Sequence, residues 1–255
     1  MVRAVRQIPR GPVSLLSYPE GPMCGRYRLT AKERYLRDHF GIDEVKWSPR
    51  WNIAPAQQVP TVRQDARGAR RVWAAARWGL VPSWAGDFSV GFSTINAQAE
   101  TAAAKPAFRD AMRYRRCLIP ADGFYEWRRL GAKEKQPYIF GLADDGIFAF
   151  AGLWEEWHDR AAGRMLESCA ILTTWPNSLV AAVHNRMPVI LQPENYDHWL
   201  DPRVTDAKRV ACLLKPLEGR LMRAYPVSAR VNRTENDDAE CAREVPGQAC
   251  TPALF

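Results

Sequence analysis

Apolar and polar positions along this chain predict more strands than helices. Residues 24–29 alternate as a short strand does, and the segments 59–63, 71–80, 117–120, 123–129, 137–142, 147–154, 169–174 and 223–227 carry β-branched and aromatic residues between turn signals. Asp144-Asp145-Gly146 supplies a hairpin turn between two of them. A helix is expected after Thr30, with Glu33 completing a capping box, Leu36 and Phe40 four apart on one buried face, and Gly41 as the stop. Further helices are expected over 106–114, over a short stretch from Asn177 to Val183, and over 193–200 and 206–214. The stretch 50–55 reads as a loop, because Pro55 restricts the residue before it. Without regular βαβ alternation, repeats or a low-complexity linker, the pattern predicts one α+β domain. Its sheet is mainly antiparallel and barrel-like, with peripheral helices.

The chain has 255 residues, enough for a substantial core. No apolar run reaches the roughly 18 residues a membrane span needs, so no membrane partner is expected, while cysteine usage that suits reduced thiols points to a cytoplasmic protein. The net charge of +8 favours an anionic partner, of which nucleic acid is the commonest. Six cysteines and four histidines are scattered without zinc spacing, so reduced thiols and no metal or cofactor are expected. Residues 1–22 hold Arg3, Arg6 and Arg10 against Glu20 alone, with two Gly-Pro steps, and are expected to be a disordered leader. A domain is expected over 23–235, then a loosely ordered tail over 236–255.

The chemistry begins at Met23-Cys24-Gly25-Arg26-Tyr27. Removal of a Met before a small residue would leave Cys24 with a free α-amine (about 7.7 in pKa) beside its thiol (about 8.5). Such an aminothiol condenses with an aldehyde, first to an imine and then to a thiazolidine; the plain alternative is a buried cysteine. Glu126, between Tyr125 and Trp127, is a raised-pKa general acid if it points inward and an ordinary surface carboxylate if it points out. His184 is a structural histidine or part of an anion site with Arg186. Arg77 and Trp78 belong to a stacking platform or a hydrophobic corner. Arg109 and Arg113 belong to a phosphate clamp or a solvated helix end.

Eight motifs occur in order: MCGRY from Met23, WNIAP from Trp51, RWGLVPSW from Arg77, INAQAET from Ile95, KPAFRDAMRYRRCLIPADGFYEW from Lys105, AGLWEEW from Ala151, HNRMPVIL from His184 and YPVSARVN from Tyr225. Together they resemble the SRAP (SOS response-associated peptidase) domain family, abasic-site sensors that shield damaged single-stranded DNA. The resemblance runs from Met23 to about Asn232. It implies catalytic roles for Cys24, Asn96, Glu126 and His184, with a thiazolidine cross-link between Cys24 and the ring-opened abasic sugar. It also implies a place in the DNA damage response, and a nucleoid-associated monomer acting on abasic sites in single-stranded DNA.

Arg26, Arg77, Arg109, Arg113 and Arg186 are the expected phosphate contacts, and Trp78 and Trp127 the expected base-stacking residues. Two departures stand out. Gln98 occupies a position where the family usually has Arg, and residues 1–22 precede Met23, as a misassigned start or a propeptide. The competing functions are an N-terminal-nucleophile peptidase that cuts its own leader and a non-covalent single-stranded DNA-binding module.

Overall fold

The computed structural model describes residues 24–65, 70–132, 134–159 and 162–246, so the expected leader over 1–22 lies outside the described residues. In chain order the elements are β1 (Tyr27–Leu29), α1 (Glu33–Phe40), β2 (Arg50–Ile53), β3 (Gln58–Gln64), β4 (Arg71–Trp78), β5 (Asn96–Gln98), α2 (Arg109–Tyr114) and β6 (Arg116–Ala121). They continue with β7 (Gly123–Arg129), β8 (Lys135–Leu142), β9 (Phe148–Asp159), β10 (Arg164–Thr174), β11 (Met187–Pro188), β12 (Ile190–Leu191), α3 (Tyr196–Leu200) and β13 (Met222–Pro226).

Two sheets form. Strands β10, β4, β3, β6 and β9 pair in that order, and β9 pairs back with β10, which closes a five-stranded barrel. Short strands β5 and β11 add to β10, and β12 to β9. The second sheet is open, in the order β13-β8-β7-β1-β2. Its inner face packs on the barrel through aromatic contacts: Tyr27 meets Trp78 at 5.4 Å and Phe150 at 5.7 Å, and Phe124 meets Phe150 at 6.2 Å between ring centroids. Edge-on aromatic pairs of this kind add about 0.5–1.5 kcal/mol each beyond the area they bury. Every residue of β6 is buried, because this strand is barrel wall on one side and carries α3 on the other. Among the described residues no helix is long and apolar enough to cross a membrane.

Local chemistry departs from the expected pattern in four places. Helix α1 ends at Gly41, whose φ of 63° is the left-handed cap, but its start has no capping box. Thr30 is held instead by the buried carboxylate of Asp122, which accepts from its backbone N–H (2.5 Å), its hydroxyl (2.8 Å) and the N–H of Ala31 (3.1 Å). Glu33 accepts from the Trp47 N–H at 2.8 Å. The expected loop at 50–55 is mostly β2, paired with β1 through Tyr27 and Ile53; Pro55 lies just outside the paired run and so breaks no ladder bond.

Residues 206–214 make two 3-10 turns, Ala207–Arg209 and Ala211–Leu213, in place of one α-helix. The fourth departure is the tail, which is packed over its described part. Cys241 is buried, and Asp237 accepts from the Trp51 and Asn52 N–H groups and pairs with Arg50. Those partners sit on the outer edge of β2, whose ladder groups would otherwise be unpaired.

Candidate functional site around Cys24

Strand β7 alternates, and the alternation settles where Glu126 points. Phe124 and Glu126 share the face that packs on the barrel, while Tyr125 and Trp127 face Val231, Cys241 and Trp51 on the other side. Strand β1 runs antiparallel beside β7, with Tyr27 opposite Phe124 and the Tyr125 N–H donating to the Arg26 carbonyl. Continuing that register sets Gly25 opposite Glu126 and leaves Cys24 one residue beyond it, next to the carboxyl. The Cys24 backbone N–H donates to Glu126 Oε1 at 2.9 Å, across 102 residues of sequence.

The electrostatics follow from this placement. Glu126 is 4% exposed, and burial pushes its pKa up to about 8, opposed in part by the hydrogen bond from Cys24. The Cys24 thiol is buried as well, and burial followed by the neighbouring Glu126 raises its pKa far above the usual thiol value. At neutral pH both groups are therefore mainly protonated, so the site holds a proton donor beside a nitrogen. Cys24 has a φ of 40°, a left-handed backbone that a non-glycine residue seldom adopts. This turn breaks the alternation of β1 and puts the Cys24 side chain into the main core cluster. Tyr27 links this corner to the barrel: burial raises its hydroxyl pKa most, with Cys169 of β10 and Cys24 adding to the rise and Arg50 opposing it.

Asn96 and His184 approach the barrel strand β10 through its short neighbours, Asn96 in β5 and His184 in the turn before β11. Asn96 starts β5 opposite Ile171. His184 follows the turn that Asn177 caps through its Oδ1, which accepts from the Leu179 and Val180 N–H groups. His184 Nδ1 lies 3.2 Å from the Arg186 N–H and 3.3 Å from the Arg186 carbonyl oxygen; burial lowers its pKa, against a smaller rise from hydrogen bonding to that carbonyl, so the imidazole is mainly neutral at pH 7. The structure thus joins Cys24 directly to Glu126 and sets Asn96 and His184 along β10.

The expected DNA-contact residues divide. Trp78 is fully buried with its indole N–H donated to the Ile95 carbonyl at 2.9 Å, so it is a hydrophobic corner and offers no face to a base. Gly79 next to it has a φ of 127°, and a Cβ there would come within 2.3 Å of the Gly91 carbonyl oxygen; this close approach is what folds the corner shut.

Arg186 is engaged within the protein. It is 6% exposed and gives a bidentate pair to Glu100 (2.8 and 2.7 Å) and a bond to the Thr173 carbonyl (2.8 Å). Arg26 donates to Asn52 Oδ1 (2.8 Å) and the Val231 carbonyl (2.7 Å) and lies over Trp127, whose indole N–H donates to Asn232 Oδ1 (2.8 Å). Arg77 lies against Phe88 and Phe92. Arg109 and Arg113 are exposed, Arg109 near Asp110 at 3.6 Å and Arg113 over Tyr114.

Three residues that organise the site escaped the sequence pattern. Asp122 anchors the exit of β1, Glu100 holds Arg186, and Asn52 donates to the carbonyls of Val231, Arg233 and Asn236. Each sits inside a motif of the eight, but its partner lies 86 to 184 residues away in sequence.

Comparison with known proteins agrees with this architecture. Residues 23–234 match the family described as SOS response associated peptidase (SRAP). The abasic site processing protein YoqW of Bacillus subtilis (strain 168) is 43% identical over 222 residues, covering 86% of this chain and 98% of the relative. The abasic site processing protein HMCES of Gallus gallus is 30% identical over 261 residues, covering 86% of this chain and 77% of the relative. A crystal structure of a protein from Bacteroides thetaiotaomicron superposes with a TM-score of 0.79 at 28% identity, covering 88% of this chain and 100% of that one. By sequence and by fold, this chain belongs to the SRAP family.

Proposed function

We propose that the protein processes abasic sites, capturing the open-chain aldehyde of the damaged sugar in single-stranded DNA as a thiazolidine on Cys24 and shielding the lesion in the DNA damage response. The observation that carries this reading is the bond from the Cys24 nitrogen to a buried carboxyl whose pKa is pushed up to about 8. The chemistry needs the α-amine of Cys24 to be free, hence cleavage between Met23 and Cys24.

An abasic sugar is mainly a closed hemiacetal, and Glu126 moves the proton that opens it. The amine then adds to the aldehyde carbon. Glu126 protonates the departing hydroxyl, which leaves as water and gives the imine. The thiol adds across the C=N bond, with its proton passing to nitrogen, and the five-membered ring closes. Ring closure removes the imine that would otherwise promote β-elimination and strand cleavage.

In this scheme His184, neutral and half-buried, hydrogen-bonds the opened sugar. Asn96 orients the carbonyl oxygen or the amine. A single strand suits a buried nucleophile, since no base pair has to open first.

The test incubates protein beginning at Cys24 with single-stranded DNA carrying one abasic site, followed by a denaturing gel. A shifted band that disappears in Cys24→Ala is expected. Absence of a band with Cys24 intact rejects the reading and leaves reversible DNA binding as the alternative.

A further inference from the structure

Trp175 follows directly on β10 and is 63% exposed, although it sits among the residues that frame the site. Gln98 lies opposite Thr173 in the β5–β10 ladder, and Arg186, whose backbone contacts His184, reaches the Thr173 carbonyl. One face of the Trp175 indole is covered by the Arg186 guanidinium, 5.0 Å from the ring centroid. That guanidinium is held by both oxygens of Glu100, so the ring rests on a fixed cation. Pro176 restricts the Trp175 backbone to extended conformations, which limits the ring's positions further. An indole fixed on one face and open to solvent on the other is a stacking surface with its ordering cost largely met in advance.

The chemistry of the surroundings selects the occupant. The chain is cationic, at +8, so a polyanion that carries flat aromatic groups fits better than an apolar peptide.

We propose that Trp175 stacks on a nucleobase of the single strand next to the lesion, supplying affinity through base stacking. This rests on the reading that abasic single-stranded DNA is the substrate.

The test measures reversible binding of the full chain to an undamaged single-stranded oligonucleotide across a salt series, for wild type, W175F, W175L and W175A. Leu keeps a cover over the Arg186–Glu100 pair without a π-face, and Phe keeps a π-face. W175L and W175A should bind about tenfold more weakly, within the range of one base–aromatic stack, and W175F within about threefold of wild type. The slope of log K against log salt should be the same in all four, because stacking displaces no counterions.

Equal binding by W175L and wild type would overturn the proposal. So would a weakening accompanied by a flatter salt slope, which would place the effect on phosphate contacts. Failure of the cross-linking reading is separate: the adduct would be absent while the Trp175 dependence of reversible binding remained.

Discussion

The Cys24 backbone nitrogen and Glu126 Oε1 are 2.9 Å apart, in a pocket that leaves the carboxyl 4% exposed. A carboxyl so buried is a neutral acid at pH 7, and it is aimed at the nitrogen that the proposed chemistry uses. Removing the acid while keeping the shape separates its catalytic part from its structural part. Glu126→Gln should slow cross-link formation by about 10²- to 10⁴-fold, the usual contribution of a positioned acid–base group, with the protein still folded. Quenched time courses on an abasic oligonucleotide read this directly.

The same carboxyl sets a pH profile. The amine must be unprotonated, with an ordinary value of about 7.7–8.0, and Glu126 must be protonated, with a pKa of about 8. The cross-linking rate is therefore expected to rise towards pH 8 and fall above it. In Glu126→Gln the alkaline fall should vanish. A wild-type rate still climbing at pH 10 would show that Glu126 is not the acid.

Stability carries the opposite signature. The folded pKa of Glu126 is raised from 4.5 to about 8, so folding favours the protonated form. Stability from this group is fully present below about pH 4.5, declines between 4.5 and 8, and stays low above. In the full chain Glu126→Gln should match wild type at pH 4 and exceed it at pH 9, by up to the order of 4 kcal/mol. Denaturant melts at the two pH values give the comparison.

Asn52 is the staple of the C-terminal segment. It is fully buried and donates to three carbonyls there while accepting from Arg26. Asn52→Ala leaves these groups unpaired and should cost about 3 kcal/mol, with faster amide exchange over 229–242 than over the barrel strands. Uniform exchange across both regions would argue against a local staple.

Gln98 offers a gain-of-contact test. Gln98→Arg should tighten single-stranded DNA binding at low salt and steepen the log K against log salt slope by about 0.7. An unchanged slope would mean that position 98 does not reach a phosphate.

Much of the strand content was legible in the sequence, because runs of β-branched and aromatic residues between turn signals, such as Phe124-Tyr125-Glu126-Trp127, mark strands whichever way their side chains point. The barrel-like sheet was expected from the sequence and is present, but the pairings that close it were not legible: β9 pairs with both β6 and β10, and no local signal records a second partner. Cys24 and Glu126 were legible as chemistry, whereas the direction of Glu126 needed the register of β1 against β7. The burial of Trp78 and the ion pair of Arg186 escaped the sequence for one shared reason. An aromatic or an arginine in a motif looks the same whether it faces DNA or pays off a buried partner, here the Ile95 carbonyl and Glu100. The capping box failed at Thr30 because a carboxylate 92 residues away, Asp122, takes the hydroxyl first.

The most direct measurement is the intact mass and peptide map of the product formed between Cys24-terminated protein and an abasic single strand. A single adduct equal in mass to protein plus oligonucleotide less one water, mapping to Cys24, is expected. An adduct on a lysine, or an adduct of the same mass in Cys24→Ala, would contradict it.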